Sequence, residues 1–296
     1  MIRVDGKSPQ SFGAGGMNLQ LLLVPYDSGR RGVRMGAGPE HLCASGLQTF
    51  LADHGHTVFL EVVEPPPANW RASISTSFEL MRALATRVRA ARALDRFPLV
   101  LSGNCNAAVG VVAGLGSGIG VLWFDAHADF NTPETTTSGF LDGMALATVT
   151  GHCWRAMTRT VEGFQPVPDS AVVLLGARDL DKGEEALVAQ SGITRLSASE
   201  APARLMPLLQ SITPKVDRVY LHLDLDALDP AEGRANSYAA AGGFMRADLI
   251  AFLAKIAAEV RISALTVSAF DPSCDDTGAV TQTAFAAIAA VLNAKN

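Results

Sequence analysis

The feature that most constrains the fold is a series of short, continuously apolar runs that alternate with segments of helical periodicity. Runs without polar alternation are typical of strands buried on both faces, as in parallel sheets covered by helices. Helices are predicted between the runs, for example over about 39–52, 75–94 and 246–260. The runs include LQLLLV (19–24), HTVFLEVV (56–63), FPLVLSG (97–103), GIGVLWFDA (118–126), SAVVLLGA (170–177), VYLHLDL (219–225) and ISALTVSA (262–269).

No linker-like change of composition and no internal repeat divides the chain, so we predict a single α/β domain over residues 18–296. Residues 1–17 are polar and glycine-rich, without the apolar core of a signal peptide, and we expect them to form a flexible lead-in. With 48% hydrophobic and only 18% charged residues, the remaining chain is able to bury a large core.

The composition also excludes several classes of partner. The net charge of −5 comes from acids and bases scattered along the chain, so neither a nucleic-acid footprint nor a polybasic membrane patch is present. No apolar stretch is as long as a membrane span. The cysteines, at positions 43, 105, 153 and 274, have no paired spacing, which favours reduced thiols and a cytoplasmic location.

Polar clusters follow three of the apolar runs at the point where each run ends. They cover residues 104–106 (Asn-Cys-Asn), 125–129 (Asp-Ala-His-Ala-Asp) and 224–226 (Asp-Leu-Asp). Ligands of open parallel sheets bind outside the carboxyl ends of the strands. We therefore expect these three clusters to meet at one edge of the sheet and to form a site there.

The residue types in these clusters predict a metal centre. Side chains two residues apart in an extended segment point the same way, so Asp125, His127 and Asp129 can converge, and so can Asp224 and Asp226. Four carboxylates brought together repel one another unless cations neutralise them, and a hard octahedral ion such as Mn²⁺ prefers this donor set. Two ions bridged by shared carboxylates would use this many ligands. In the alternative interpretation the acids only cap helices and turns.

The two longest motifs, DAHADFNTPETTTSG and LDLDALDP, resemble the signatures of the arginase, or ureohydrolase, family of dimanganese amidinohydrolases. The resemblance implies a three-layer α/β/α sandwich on a parallel, eight-stranded sheet, assembled as a homo-oligomeric trimer or hexamer. It also implies a small guanidino substrate attacked by metal-activated hydroxide. Its metal ligands here would be Asp125 and Asp224 as bridges, His127 and Asp226 on one ion, and Asp129 and Cys105 on the other.

Three positions depart from the family pattern. Cys105 stands where the family has a histidine ligand, and Asp142 stands where the family often has a proton-shuttling histidine. Ala269 occupies the position of the glutamate that grips the guanidinium group. The contacts to an amino-acid head group are partly retained, because Asn131 and Ser138 match the carboxylate-binding residues and Asp181 and Glu184 match the segment that reads the α-amino group. Phe140 replaces a third carboxylate-binding residue.

Asp142 has two interpretations, since it either caps the helix that begins near GMALATVTG or replaces the lost carboxylate as a partner for a cationic substrate. Asp271, beside Ala269, is a second candidate for that partner, with an Asp-Pro turn as its alternative. His222 lies two residues before Asp224, and we interpret it as a hydrogen-bonded core histidine.

Two functional hypotheses follow. The first is a metal-dependent hydrolase that cleaves a C–N bond of a linear amidine, most simply a guanidino or substituted-guanidino compound such as an N-hydroxyguanidine. The second is a catalytically silent relative that binds metal or ligand. Thiolate favours softer ions than Mn²⁺, so we expect one firmly bound Mn²⁺ and a second site weakened by Cys105. Alternatively, a bound cation deprotonates this thiol and both sites fill.

Overall fold

An eight-stranded sheet runs through the part of the chain that this computed structural model describes, residues 16–69, 71–212, 216 and 218–293. All pairs of neighbouring strands are parallel, in the order β4-β1-β5-β10-β9-β6-β7-β8. The strands are β1 (Asn18–Val24), β4 (Thr57–Val62), β5 (Phe97–Ser102), β6 (Ile119–Phe124), β7 (Val172–Leu175), β8 (Thr194–Leu196), β9 (Arg218–Asp224) and β10 (Ile262–Ser268). A separate two-residue antiparallel ladder joins β2 (Tyr26–Asp27) to β3 (Arg30–Arg31). The predicted α/β class and the eight-stranded parallel sheet are confirmed.

Helices cover both faces of the sheet. They are α1 (Gly38–Ala44), α2 (Leu47–Asp53), α3 (Ser73–Ala93), α4 (Ala108–Leu115), α5 (Ala145–Val149), α6 (Arg155–Thr158), α7 (Lys182–Gln190), α8 (Ala201–Ile212), α9 (Arg246–Glu259) and α10 (Ala279–Leu292). Alternate residues of the six inner strands, β1, β5, β10, β9, β6 and β7, enter two separate cores. One core holds buried side chains of α3, α4 and α5, and the other holds those of α1, α2, α8, α9 and α10. Strand residues are therefore apolar on both faces, which explains why the runs in the sequence show no alternation.

Two local features differ from the sequence prediction. The helix predicted over 39–52 is two helices, α1 and α2, because Gly46 has a φ of 99° and breaks the helical path between them. Strand β8 (Thr194–Leu196) has only three residues and no apolar run, so the pattern did not indicate it. Of the lead-in predicted over residues 1–17, positions 1–15 lie outside the described residues, and only positions 16 and 17 are described. There the Met17 amide already donates to His56 Nδ1.

The sheet order determines where the site lies. Strands β5, β10, β9 and β6 are neighbours at the centre of the sheet, and their carboxyl ends lead directly into residues 103–106, 269–271, 225–227 and 125–129. All four segments therefore meet at one edge of the sheet. None of the helices in the described ranges is long and apolar enough to cross a membrane.

Candidate metal centre and pocket

Two overlapping groups of potential ligand atoms lie at this edge. In the first, one atom each of Cys105, Asp125 and Asp224 lie within 4.8 Å of one another. In the second, atoms of Asp125, His127 and Asp226 satisfy the same limit. The expected convergence of the three sequence clusters is thus observed, and Asp125 belongs to both groups. An arrangement with a shared carboxylate has the donor types and the overlap that two neighbouring cations require.

Backbone amides hold the carboxylates in place. The His127 amide donates to Asp125 Oδ1 at 2.7 Å, and the Trp123 indole donates to Oδ2 at 3.0 Å. The Asp226 amide donates to Asp224 Oδ1 at 2.8 Å, in a 3₁₀ turn over Leu225–Ala227. Each carboxylate therefore keeps its orientation through bonds within its own short segment, and that segment is fixed by the end of a central strand.

A further pair of contacts ties the two motifs together. The Ala126 amide donates to Asp226 Oδ1 at 3.0 Å, and the Asn236 side-chain amide donates to Asp226 Oδ2 at 3.1 Å. The same Asn236 nitrogen donates to the Ala269 carbonyl at 2.9 Å. Asn236 was not predicted from the sequence, because it lies in a long loop without periodicity, ten residues beyond the acid that it contacts.

Asp129 is the member of the predicted set that stands apart. It lines the pocket, but its carboxylate belongs to neither group of closely spaced ligand atoms. Its Oδ2 atom is buried without a hydrogen-bond partner, and its φ of 50° is in the left-handed region that non-glycine residues rarely adopt. Its carbonyl accepts bonds from the amides of Leu146 and Ala147, which fix this backbone conformation. A buried carboxylate oxygen without a partner, in a residue that lines the pocket, fits the role of a cation ligand.

The charges of the cluster are out of balance without cations. Burial and the neighbouring acids raise the pKa of Asp125 to about 6 and raise the pKa values of Asp129 and Asp224 well above the ordinary range. His127 opposes them: burial lowers its pKa, but its hydrogen bonds with Asp125 and Asp226 outweigh burial and raise it. The same pairing lowers the pKa of Asp226 despite burial. One imidazolium cannot neutralise four buried carboxylates, so the residues fit divalent cations.

Cys105 is buried beneath the cluster. Its Sγ lies 3.0 Å from Asp224 Oδ2 and 3.3 Å from Ser268 Oγ. Burial raises the pKa of this thiol, and Asp224 and other nearby carboxylates raise it further. Ser268 Oγ also lies 3.1 Å from Nε2 of His222, which is fully buried and stacks on Trp123. The interpretation of His222 as a hydrogen-bonded core residue is confirmed.

Asp142 does not cap the helix that follows it, so the capping interpretation is wrong. It lies in a 3₁₀ turn over Asp142–Met144, and no side chain caps either that turn or α5. Its carboxylate instead accepts from the Asn106 amide at 2.9 Å and from Asn104 Nδ2 at 2.8 Å. These two residues flank Cys105. Asp142 therefore clamps the turn that carries the thiol, while it also lines the pocket. For Asp271 the turn interpretation is confirmed, since its side chain accepts from the Ser273 amide.

The residues matched to an amino-acid head group all line the same pocket. Asn131 Nδ2 donates to Asp181 Oδ2 at 3.2 Å, and Ser138 Oγ accepts from the Phe140 amide at 3.1 Å. Asp181 is the N-cap of α7, and Glu184 completes a capping box with it. Both oxygens of Glu184 accept from backbone amides, one of them that of Phe130. The four predicted residues are thus together, with Glu184 occupied in supporting the wall.

The pocket above the cluster has a volume of about 300 Å³. Among its lining residues, the rings of Phe140 and Tyr238 stack with centroids 5.8 Å apart. Ala269 lies in the wall, 3% exposed, with a φ of 59°. Met35, Asp179 and Tyr238 also line the pocket and were not predicted, because no local sequence pattern connects them to the metal motifs.

Comparison with known proteins assigns the family. A model of the Arginase family matches residues 17–294. The chain belongs to the arginase family. It is similar to an arginase of Bacillus subtilis (strain 168), with 34% identity over 248 residues, 76% of this chain and 80% of the relative. An arginase of Brevibacillus brevis is 33% identical over 231 residues, 72% of this chain and 76% of the relative.

A solved structure supports the same assignment to the arginase family. The crystal structure of arginase from Bacillus subtilis aligns with a TM-score of 0.83 at 26% identity, covering 94% of this chain and 99% of that one. The resemblance inferred from the two motifs is confirmed. The chain carries the two Asp-rich motifs on which that resemblance rests.

Proposed function

We propose that the protein is a metal-dependent hydrolase that cleaves a C–N bond of a guanidino or substituted-guanidino compound with an amino-acid-like end. The observation that carries the proposal is the pair of overlapping ligand groups, joined through Asp125, on the floor of an open pocket. Four carboxylates crowded together repel one another unless cations neutralise them, so the cluster supports a metal centre, and the pocket beside it offers space for a substrate. Family membership and geometry therefore favour the enzyme.

The metal-holding residues differ between the two groups. Asp125, His127 and Asp226 offer two carboxylates and one imidazole, which suit Mn²⁺. The other group contains the Cys105 thiol and is a better match for a softer ion such as Zn²⁺ or Fe²⁺. When bound, the divalent ions would supply positive charge that activates water for attack on the guanidino carbon.

Asp142 has the properties of a proton-transfer group in this reaction. Burial raises its pKa to about 7, and hydrogen bonds from Asn106 and Asn104 oppose that rise only in part. A group with a pKa near the working pH is best able to accept a proton and return it to a leaving amine. A carboxyl group would then perform at this position the task for which the family often uses histidine.

Ala269 sets the class of substrate. Its methyl group lies in the pocket wall, where it cannot pair with a guanidinium, and its carbonyl is already bound to Asn236. A substituted guanidine such as an N-hydroxyguanidine is a weaker base than arginine and depends less on a carboxylate partner. The small side chain also leaves space for the substituent. Asn131, Ser138 and Asp181, which line the same pocket, would bind the amino-acid end.

A substrate screen tests the proposal. Guanidino, N-hydroxyguanidino and formimino amino acids are incubated with protein supplied with Mn²⁺ or Zn²⁺, and release of urea, hydroxyurea or formamide is measured. We expect turnover of a substituted guanidine and its loss in the Asp125→Asn variant, which removes the shared carboxylate. Tight ligand binding without turnover of any compound would favour the silent relative. A trimer or hexamer remains our expectation for the assembly, to be measured by sedimentation.

A further inference from the structure

Arg178 lies behind the metal cluster and outside the pocket lining, at the end of β7. Its guanidinium donates only to backbone carbonyls. Nη2 donates to the Asp226 carbonyl at 2.8 Å and to the Ala240 carbonyl at 2.7 Å, and Nη1 donates to the Gly176 carbonyl at 3.0 Å. Weaker bonds reach the carbonyls of residues 228 and 241. One side chain therefore joins the end of β7, the metal-ligating turn after β9 and a distant loop.

The backbone of Arg178 adds a connection to the other metal motif. Its amide donates to the Ala126 carbonyl at 2.7 Å. The Ala126 amide in turn donates to Asp226 Oδ1 at 3.0 Å. Residue 126 lies between Asp125 and His127, two ligands of the first motif. The backbone and the side chain of Arg178 thus fix the segment 125–129 and the segment 224–226 relative to each other.

The loop held by Arg178 forms part of the pocket. Residues 229–243 leave the sheet after β9 and carry Asn236 and Tyr238, which line the pocket. The base of the loop is closed by Asp229, whose Oδ2 accepts from the amides of Gly242 and Gly243 at 2.7 and 3.0 Å. A Cβ atom at position 243 would lie 2.7 Å from Arg178 Nη2, so glycine permits this close approach.

We propose that Arg178 is a positioning residue that holds the Asp226 ligand and the 229–243 loop in register, and thereby sets metal affinity and substrate fit. The inference rests on the proposed function. A planar guanidinium presents several N–H groups at fixed angles, which lets it bridge three chain segments at once. Lysine would keep the positive charge near the carboxylates but could not span the same carbonyls. Groups that orient metal ligands typically change metal affinity or activity by about 10–100-fold when they are replaced.

The test compares Arg178→Lys with a matched control in the same region, Arg195→Lys. Arg195 also donates to a backbone carbonyl, that of Ala177, at 2.8 Å, but it touches neither metal motif nor the loop. Binding of Mn²⁺ alone to metal-free protein is measured by calorimetry, and thermal stability is recorded for each variant. We expect about 10-fold weaker Mn²⁺ binding, or more, for Arg178→Lys and unchanged affinity for the control. With the best substrate of the screen, KM should rise together with a fall in kcat.

A second variant separates charge from hydrogen bonding. Arg178→Met keeps the apolar stem and removes both charge and donors. If Arg178→Lys and Arg178→Met weaken Mn²⁺ binding to a similar extent, the bridging bonds carry the effect as proposed. Wild-type affinity in Arg178→Lys would overturn the inference and leave the proposed function intact. Absence of Mn²⁺ or Zn²⁺ binding in the wild-type protein would contradict the proposed function itself, and the inference with it.

Discussion

Replacing Asp142 by asparagine separates its structural role from a direct role in catalysis. In the protein both carboxylate oxygens accept hydrogen bonds, from the Asn106 amide and from the Asn104 side chain. An asparagine oxygen can keep the first bond, but its NH₂ group would then face the NH₂ group of Asn104. Asn104 cannot simply rotate, because its Oδ1 accepts from the Ser28 amide at 2.9 Å. The substitution therefore leaves two donors facing each other in a buried position.

The magnitude follows from these contacts. Leaving a buried donor without an acceptor costs about 1–3 kcal/mol. Removing a buried carboxylate recovers part of this cost, because a pKa of about 7 means that the group is ionised unfavourably at neutral pH. We expect a net loss of about 2 kcal/mol in the free energy of unfolding, or about 4 °C in Tm for a chain of this size.

The assay measures thermal unfolding, metal content and turnover on the same preparations. We expect Asp142→Asn to lose stability, and to lose metal first from the group that contains Cys105, because the turn that carries this thiol is released. Asp179→Asn is the matched control: it removes a carboxylate from the same pocket, but that side chain is exposed and accepts no hydrogen bond from any described residue. A variant with wild-type Tm and metal content but without turnover would refute the clamp and show direct contact with the substrate.

Three other predictions concern pH, metal and substrate. Burial raises the pKa of Asp142 and of Glu184 to about 7, so the folded metal-free protein holds their protons more tightly than the unfolded chain does. The free energy of unfolding of the metal-free protein should therefore fall as the pH rises from about 4 to 7. Denaturant titrations with and without Mn²⁺ should show that the metal reverses this trend. Protein purified with excess Mn²⁺ should contain clearly fewer than two Mn²⁺ per chain by elemental analysis, rising towards two in Cys105→His; two tightly held ions in the unaltered protein would contradict this. Arginine should be a poor substrate, by several powers of ten in rate, because Ala269 cannot pair with a guanidinium; Ala269→Glu should raise urea release from arginine relative to a substituted guanidine.

The sequence predicted most of what depends on regular periodicity. Strands with long apolar runs, such as β6 and β9, were found because both faces of the sheet are covered and every residue of the run is buried. Strand β8 was missed, since its three residues, TRL, lie near the edge of the sheet where little apolar surface is required. The split between α1 and α2 depends on one glycine with a positive φ, which the helical pattern on either side concealed.

The site was predictable to the extent that its ligands follow strands. Asp125 and Asp224 end neighbouring strands, so their meeting follows from the position of the motifs and the geometry of parallel sheets. The role of Asp142 was not predictable, because it depends on a contact with a turn 38 residues earlier in the chain. Asn236 lies in a loop whose path is fixed by the bonds of Arg178 and Asp229, and no local pattern encodes that path.

The position of β10 has a consequence for biosynthesis. This strand lies between β5 and β9, yet it is the last strand of the described chain to leave the ribosome. Until it arrives, β4-β1-β5 and β9-β6-β7-β8 are two separate half-sheets, each with a long apolar edge at β5 or β9 that is open to pairing with other chains. Asp125 and Asp224 are already adjacent in the second half-sheet, whereas Cys105 belongs to the first. A nascent chain could therefore capture one cation early at Asp125, His127 and Asp226, whereas the group that contains Cys105 forms only when the final strand closes the gap.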